Sequence, residues 1–228
     1  MTAAIIVAAG KGTRMGPERD KLFMELNGRP VLAHSWAVFD RAKAIEEIIV
    51  VCRAGLEKSL NEMARQYSFA KPFRAVPGGS ERQDSVWAGL EALDPNTSIV
   101  AIHDGARPCV TEGLIAATIQ AAQETGAAVA AQPVVDTIKQ SKDGRIIDGH
   151  LERGKLWSVQ TPQTFRLEVI RRALTAVRER ELLLTDDTAA CELIGQPVRL
   201  VMSQEPNPKV TVPGDLEVIA ALLKQRGV

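Results

Sequence analysis

The chain has few of the residues that would mark it as disulfide-stapled, zinc-bound or nucleic-acid-coating. Its three cysteines, Cys52, Cys109 and Cys191, stand far apart and form no CxxC pair. Neither a zinc site nor a disulfide framework is indicated, and a reduced cytoplasm fits. No sign of charge is in excess, because 28 basic residues balance 28 acidic ones. A general affinity for DNA, RNA or an anionic membrane is therefore not expected, and local placement of cations has to carry any anion binding. No apolar run approaches the roughly 20 residues that cross a bilayer, and Met1 leads into an apolar strand without a cationic leader, so neither membrane insertion nor secretion is expected. Repeats, low-complexity tracts and long linkers are lacking too. The histidines, His34, His103 and His150, are isolated in sequence and read as packed or solvated rather than catalytic.

What is present is ordinary for a soluble globule: 228 residues, 45% hydrophobic and 25% charged. That length suits one domain, residues 1–228. Short apolar runs at Ala4–Ala8, Ile48–Val51, Ile99–His103, Ala127–Gln132 and Val198–Met202 alternate with helical patterns. Such alternation predicts an α/β fold, a doubly wound, mostly parallel sheet with helices on both faces. The spacing of Val31, Leu32, Ser35, Trp36 and Phe39 predicts a helix over Pro30–Ala42, and similar patterns cover Gly113–Thr125 and Leu167–Arg180. Residues Asp136 to Ile147 break this rhythm, with two short strands around Ser141-Lys142-Asp143-Gly144. This stretch is too polar to be buried and is expected to project as a β-arm over about 136–157, an edge suited to a second subunit.

The first strand runs into Ala8-Ala9-Gly10-Lys11-Gly12-Thr13-Arg14-Met15-Gly16, a small, cationic, glycine-punctuated loop suited to phosphate. Spacing rules out two familiar loops. A P-loop needs its lysine after the second glycine, whereas Lys11 precedes it, and a dinucleotide fingerprint has Met15 where its third glycine belongs. The strand Ile48–Val51 also runs into Cys52-Arg53, without the acidic residue that holds a ribose.

Four further segments fit a nucleotide and phosphate site. Gly78-Gly79-Ser80-Glu81-Arg82-Gln83-Asp84-Ser85 sets two glycines after a short strand and a serine at a helix start. Asp104 and Arg107 follow the strand Ile99–His103, at the end where open α/β sheets bind ligands. The segment from Glu152 to Phe165 mixes cations, an aromatic and hydroxyls, and Asn207-Pro208-Lys209-Val210-Thr211 offers a lysine between prolines. A doubly wound sheet can bring Arg14, Lys21, Arg153 and Lys209 from four separate loops to one crevice.

In this order the segments resemble the 2-C-methyl-D-erythritol 4-phosphate cytidylyltransferase family over essentially the whole chain, from Ile5 to Thr211. The resemblance implies that Arg14 and Lys21 stabilise the transition state, and that Arg153 and Lys209 position the acceptor phosphate with help from Asp104, Arg107 and Thr137. It implies that Ala8, Ala9, Gly10, Gly79, Ser80 and Ser85 hold CTP, with Thr161 and Thr185 nearby. It further implies a homodimer whose arm completes the neighbour's acceptor pocket, and Mg2+ held mainly by the triphosphate. No protein metal ligand is expected, because no carboxylates cluster at metal-ligand spacing. One departure is Asp20-Lys21-Leu22, where Pro-Lys-Gln is common in the family. A phosphate monoester is already anionic and needs no general base, so catalysis reduces to positioning and charge neutralisation, which explains the basic residues. The rival readings are a cytidylyltransferase for another polyol phosphate, such as ribitol 5-phosphate, and a silent nucleotide-binding module.

Overall fold

The computed structural model describes residues 1–10 and 20–228. Along the chain these form β1 (Thr2–Ala8), β2 (Glu25–Leu26), β3 (Arg29–Pro30), α1 (Val31–Arg41), β4 (Glu47–Cys52), α2 (Glu57–Gln66), β5 (Phe73–Pro77), α3 (Arg82–Glu91), β6 (Ile99–Asp104), α4 (Glu112–Thr125) and β7 (Ala127–Pro133). There follow β8 (Lys139–Gln140), β9 (Gly149–His150), a single 3-10 turn at Arg153–Lys155, β10 (Trp157–Arg166), α5 (Leu167–Glu179), α6 (Asp187–Leu193), β11 (Arg199–Met202) and α7 (Asp215–Gln225).

Among the described residues the main sheet has the order β11-β7-β10-β6-β1-β4-β5. β1 pairs in parallel with β4 and β6, and β10 alone runs against its neighbours β6 and β7. Alternation along β1 assigns the two faces. Ala4, Ile6 and Ala8 pack with Trp36 and Phe39 of α1, Leu60 of α2, Ile115 of α4 and Ile219 of α7. Ala3 and Ile5 face the other way, toward Val86 of α3, Ile170 and Leu174 of α5 and Cys191 of α6. Each large side chain so buried contributes about 2 kcal/mol from apolar area alone.

The predicted strands and helices are all present, with ends displaced by a few residues. α1 is entered at Pro30, whose φ of −57° already suits a helix. α4 ends on Gly126 at φ 90°, a left-handed cap that a side chain would strain. Ser85 lies within the first turn of α3, whose cap position belongs to Glu81. β10 is the element that apolar periodicity does not show. Its Gln160, Thr161, Gln163 and Thr164 are buried yet polar, and each is hydrogen-bonded: Thr164 Oγ1 to Thr118 Oγ1 at 3.0 Å, for example, and Gln160 Nε2 to Gln132 Oε1 at 3.2 Å. The hairpin is there, with Lys139 opposite His150 and Gln140 opposite Gly149, but its second strand lies beyond Ile147 rather than before it, so the connection is longer than the four-residue turn expected.

Candidate active site

The chain crosses from one side of β1 to the other between β5 and β6, so the strand order reverses at the carboxyl ends of β1 and β6. Sheets of this winding bind ligands in the crevice at that reversal. A crevice of about 170 Å3 opens there, walled by Ala9, Gly10, Lys21, Gly79, Ser80 and Ser85 and backed by Arg82, Asp104 and Lys209. A second chamber of about 140 Å3 shares those last three and adds Arg107, Gln160, Thr161 and Thr185. A wider groove of about 920 Å3, at the amino ends of β6 and α5, is lined by Asp94, Thr97 and Arg166 among others and holds none of the sequence-predicted residues.

The wall of the first chamber is shaped by small residues. A Cβ on Gly78 would stand 2.5 Å from the Ala9 Cβ and 2.6 Å from Ser85 Oγ, so only glycine lets these segments meet. A Cβ on Gly79 would strike Asp84, whose carboxylate accepts from Ser80 Oγ at 2.9 Å and from the Glu81 N–H at 3.1 Å. Ser85 is buried, its hydroxyl donating to the Glu81 carbonyl at 3.2 Å. The Ala8 side chain belongs to the core, so Ala8 offers a ligand only its backbone. Lys21 donates from Nζ to the Val210 carbonyl at 3.0 Å, beside Lys209.

Asp104 is the hub between the chambers. Its Oδ2 accepts from Lys209 Nζ at 2.6 Å and its Oδ1 from Arg82 Nε at 3.3 Å. Burial alone would raise this carboxyl, but the charges of Arg82 and Lys209 override it and hold Asp104 well below the usual carboxylate range. Arg82 reaches onward through Nη1 to Asp187 Oδ2 at 2.8 Å. Burial works against the Arg82 charge, and Asp187 and Asp104 more than offset it, raising its pKa. Burial pushes the Asp187 carboxyl up, with Arg82 opposing. Arg107 donates through Nη1 to the Asn207 carbonyl at 2.8 Å, while its Nε makes no hydrogen bond and lies 3.9 Å from Asp104 Oδ2.

Behind the hub, His103 is locked neutral. Its Nε2 lies 3.1 Å from the Arg107 carbonyl and so carries the proton, leaving Nδ1 to accept from Thr161 Oγ1 at 2.9 Å. The same hydroxyl accepts from the Asp104 N–H at 3.1 Å, so Thr161 serves the main chain of the hub. Burial lowers the His103 pKa to about 4.

The structure thus brings together Ala9, Gly10, Lys21, Gly79, Ser80, Ser85, Asp104, Arg107, Thr161, Thr185 and Lys209. Thr137 and Arg153 stand on the exposed arm, Arg153 donating to the Val135 carbonyl at 3.0 Å, and line neither chamber. Arg14 lies outside the described residues. Sequence reasoning missed Arg82 and Asp187 as parts of the site. Arg82 stood in the Gly78–Ser85 segment, but nothing in a linear sequence tells a buried, doubly paired arginine from a solvated one.

Small residues facing one chamber, a polar second chamber alongside, and two lysines brought from separate loops can hold two anionic reactants side by side. With the doubly wound sheet, this defines a nucleotidyltransferase. Residues 2–225 match the model of the 2-C-methyl-D-erythritol 4-phosphate cytidylyltransferases, and the chain belongs to that family. It is 44% identical over 229 residues to the enzyme of that name from Alkaliphilus oremlandii, covering 99% of this chain and 96% of that one. A second relative of the same name, from Pelotomaculum thermopropionicum, is 42% identical over 226 residues, with 98% and 94% covered. The crystal structure of 4-diphosphocytidyl-2C-methyl-D-erythritol synthase from Anaerococcus prevotii superposes with a TM-score of 0.87 at 32% identity, covering 98% of this chain and 96% of that one.

Proposed function

We propose that the protein transfers the cytidylyl group of CTP to 2-C-methyl-D-erythritol 4-phosphate, releasing pyrophosphate and 4-diphosphocytidyl-2-C-methyl-D-erythritol. The observation that carries this reading is the pair of chambers sharing Arg82, Asp104 and Lys209, one walled by small residues and the other polar. CTP lies along Ala9, Gly10, Gly79, Ser80 and Ser85, and the acceptor phosphate approaches Lys209 from the second chamber. The acceptor oxygen attacks the α-phosphorus, the bond to the pyrophosphate leaving group breaks, and Arg14 and Lys21 neutralise the charge that builds. Asp104 keeps Lys209 aimed, and Arg82 ties Asp104 to α6.

Mg2+ suits this donor set as an ion carried by the nucleotide. Among the described residues no three histidine, cysteine or carboxylate side chains gather to hold a metal, and Asp104 and Glu81 are the carboxylates lining the first chamber. Bound with the nucleotide, the ion would supply charge neutralisation of the triphosphate, and Asp104 and Glu81 are the carboxylates that could help hold it.

The arm supports a homodimer. Val135, Ile146 and Ile147 are 80%, 71% and 64% exposed on a hairpin with no core of its own, and a second copy would cover them. Thr137 and Arg153 then serve the partner's acceptor chamber. The three free, buried cysteines fit a cytoplasmic protein, and among the described residues no helix is long and apolar enough to cross a membrane.

The test is incubation of the purified protein with CTP, Mg2+ and either 2-C-methyl-D-erythritol 4-phosphate or ribitol 5-phosphate, following pyrophosphate. Release with the first alone is expected. Release only with the second, or with neither, would overturn the assignment.

A further inference from the structure

We infer that the ion pair between Arg53 and Asp20 is a latch that holds Lys21 in place, which makes Arg53 a positioning residue for the transfer although it lines neither chamber. The inference rests on the reading of Lys21 given above. In the parallel pairing of β1 with β4, Cys52 stands opposite Ala8, so Arg53 follows directly beside the point where the glycine-rich segment leaves the sheet. Its guanidinium bonds Asp20 Oδ2. The other carboxylate oxygen, Oδ1, accepts the Leu22 N–H at 3.1 Å, and the Asp20 carbonyl accepts the Phe23 N–H at 3.0 Å. Asp20 therefore organises the turn that carries Lys21.

The far side of that turn is fixed differently. Leu22 is 3% exposed in the core, and its carbonyl accepts the Leu32 N–H of α1 at 3.0 Å. The tip of Lys21 bonds the Val210 carbonyl, and the Val210 N–H bonds the Ala106 carbonyl at 2.8 Å. Among the described residues, Lys21 is thus held after its Cα by the packing of Leu22 and at its Nζ by the Lys209 loop, and on its other side the ion pair ties Asp20 to the end of β4. The two side chains of that pair are 36% and 19% exposed. A pair so placed adds little to global stability, so its effect falls on the local geometry of the lysine it precedes.

Two variants separate the latch from the fold. Asp20→Asn keeps an oxygen for the Leu22 N–H and loses the ion pair, and Arg53→Ala loses the same pair from the other side. Each is expected to lower kcat about tenfold, the scale of a small misplacement of a transition-state cation, with KM for CTP nearly unchanged and the thermal melt intact. Arg53→Lys should recover most of the loss. In a Lys21→Ala background, Arg53→Ala should change kcat by less than about twofold, because the two act through one another. Wild-type kcat in Arg53→Ala, or an equal loss with and without Lys21, would overturn the latch. A readout free of turnover is the acetylation rate of Lys21 by an N-hydroxysuccinimide ester, followed by peptide mass spectrometry. It should rise several-fold in both variants, and an unchanged rate also overturns the latch. Faster acetylation in a protein that does not consume CTP would leave the latch standing and remove the functional reading.

Discussion

Lys209 and Asp104, far apart in sequence, meet at 2.6 Å between the two chambers, and the lysine's charge helps keep the Asp104 carboxyl ionised. Removing Asp104 leaves Lys209 partly buried without this counter-ion, whereas Asp104 without Lys209 still keeps Arg82. Asp104→Asn is therefore expected to release Lys209 from its aim and to raise KM for the acceptor phosphate by about tenfold or more, while KM for CTP moves less. Steady-state kinetics with each substrate varied in turn checks this.

Acid should destabilise the protein in two windows. His103 has a pKa near 4 when folded, against an ordinary 6.5. The unfolded chain binds that proton first, so stability falls as the pH drops from about 6.5 to about 4, by roughly 3 kcal/mol in full. Asp104 is depressed as well, in a lower range. It adds stability above the ordinary carboxylate value of about 3.9, and that contribution drains away as the pH falls further toward the folded value. Urea unfolding across pH should show both limbs, and His103→Gln should flatten only the upper one.

Arg14→Ala and Lys21→Ala should each lower turnover by roughly two or more orders of magnitude, the scale of losing a transition-state charge partner. Circular dichroism melts should stay close to wild type. Near-normal turnover in a folded variant would remove these residues from the mechanism.

If the arm serves a neighbouring subunit, an inactive Arg14→Ala protein mixed with an inactive Arg153→Ala protein should regain activity, because one site of the heterodimer escapes both lesions. Absence of recovery after verified subunit exchange would assign Arg153 to its own chain.

Magnesium should bind the free protein weakly and the CTP complex well, since the triphosphate supplies most of the oxygen ligands. Titration calorimetry with and without nucleotide distinguishes this from a dedicated protein site.

Much of this architecture could be read from residues in order. The faces of β1 and α1 follow from alternation and from the spacing of Leu32, Trp36 and Phe39, and the arm follows from a polar stretch with a turn at its centre. β10 could not be read that way, because its burial is satisfied by hydrogen bonds between distant side chains rather than by apolar area: Thr161 needs His103, and Gln163 needs Asp186 at 3.1 Å. The same holds for Arg82, which becomes part of the site only because α6 delivers Asp187 to it. Partners of that kind are set by topology, and a linear pattern does not contain them.

The place of β10 also bears on how the chain is made. It is synthesised after β7 yet lies between β6 and β7, so as the polypeptide leaves the ribosome β6 keeps an open edge until Arg166 has emerged. In the finished sheet β6 and β7 stand one strand's width apart, and the strand that fills the gap follows only after the whole arm has been translated. Sheet closure is then a late, non-local event. A nascent chain stalled before Trp157 carries an unpaired apolar edge, and that is the stage at which it most needs a chaperone.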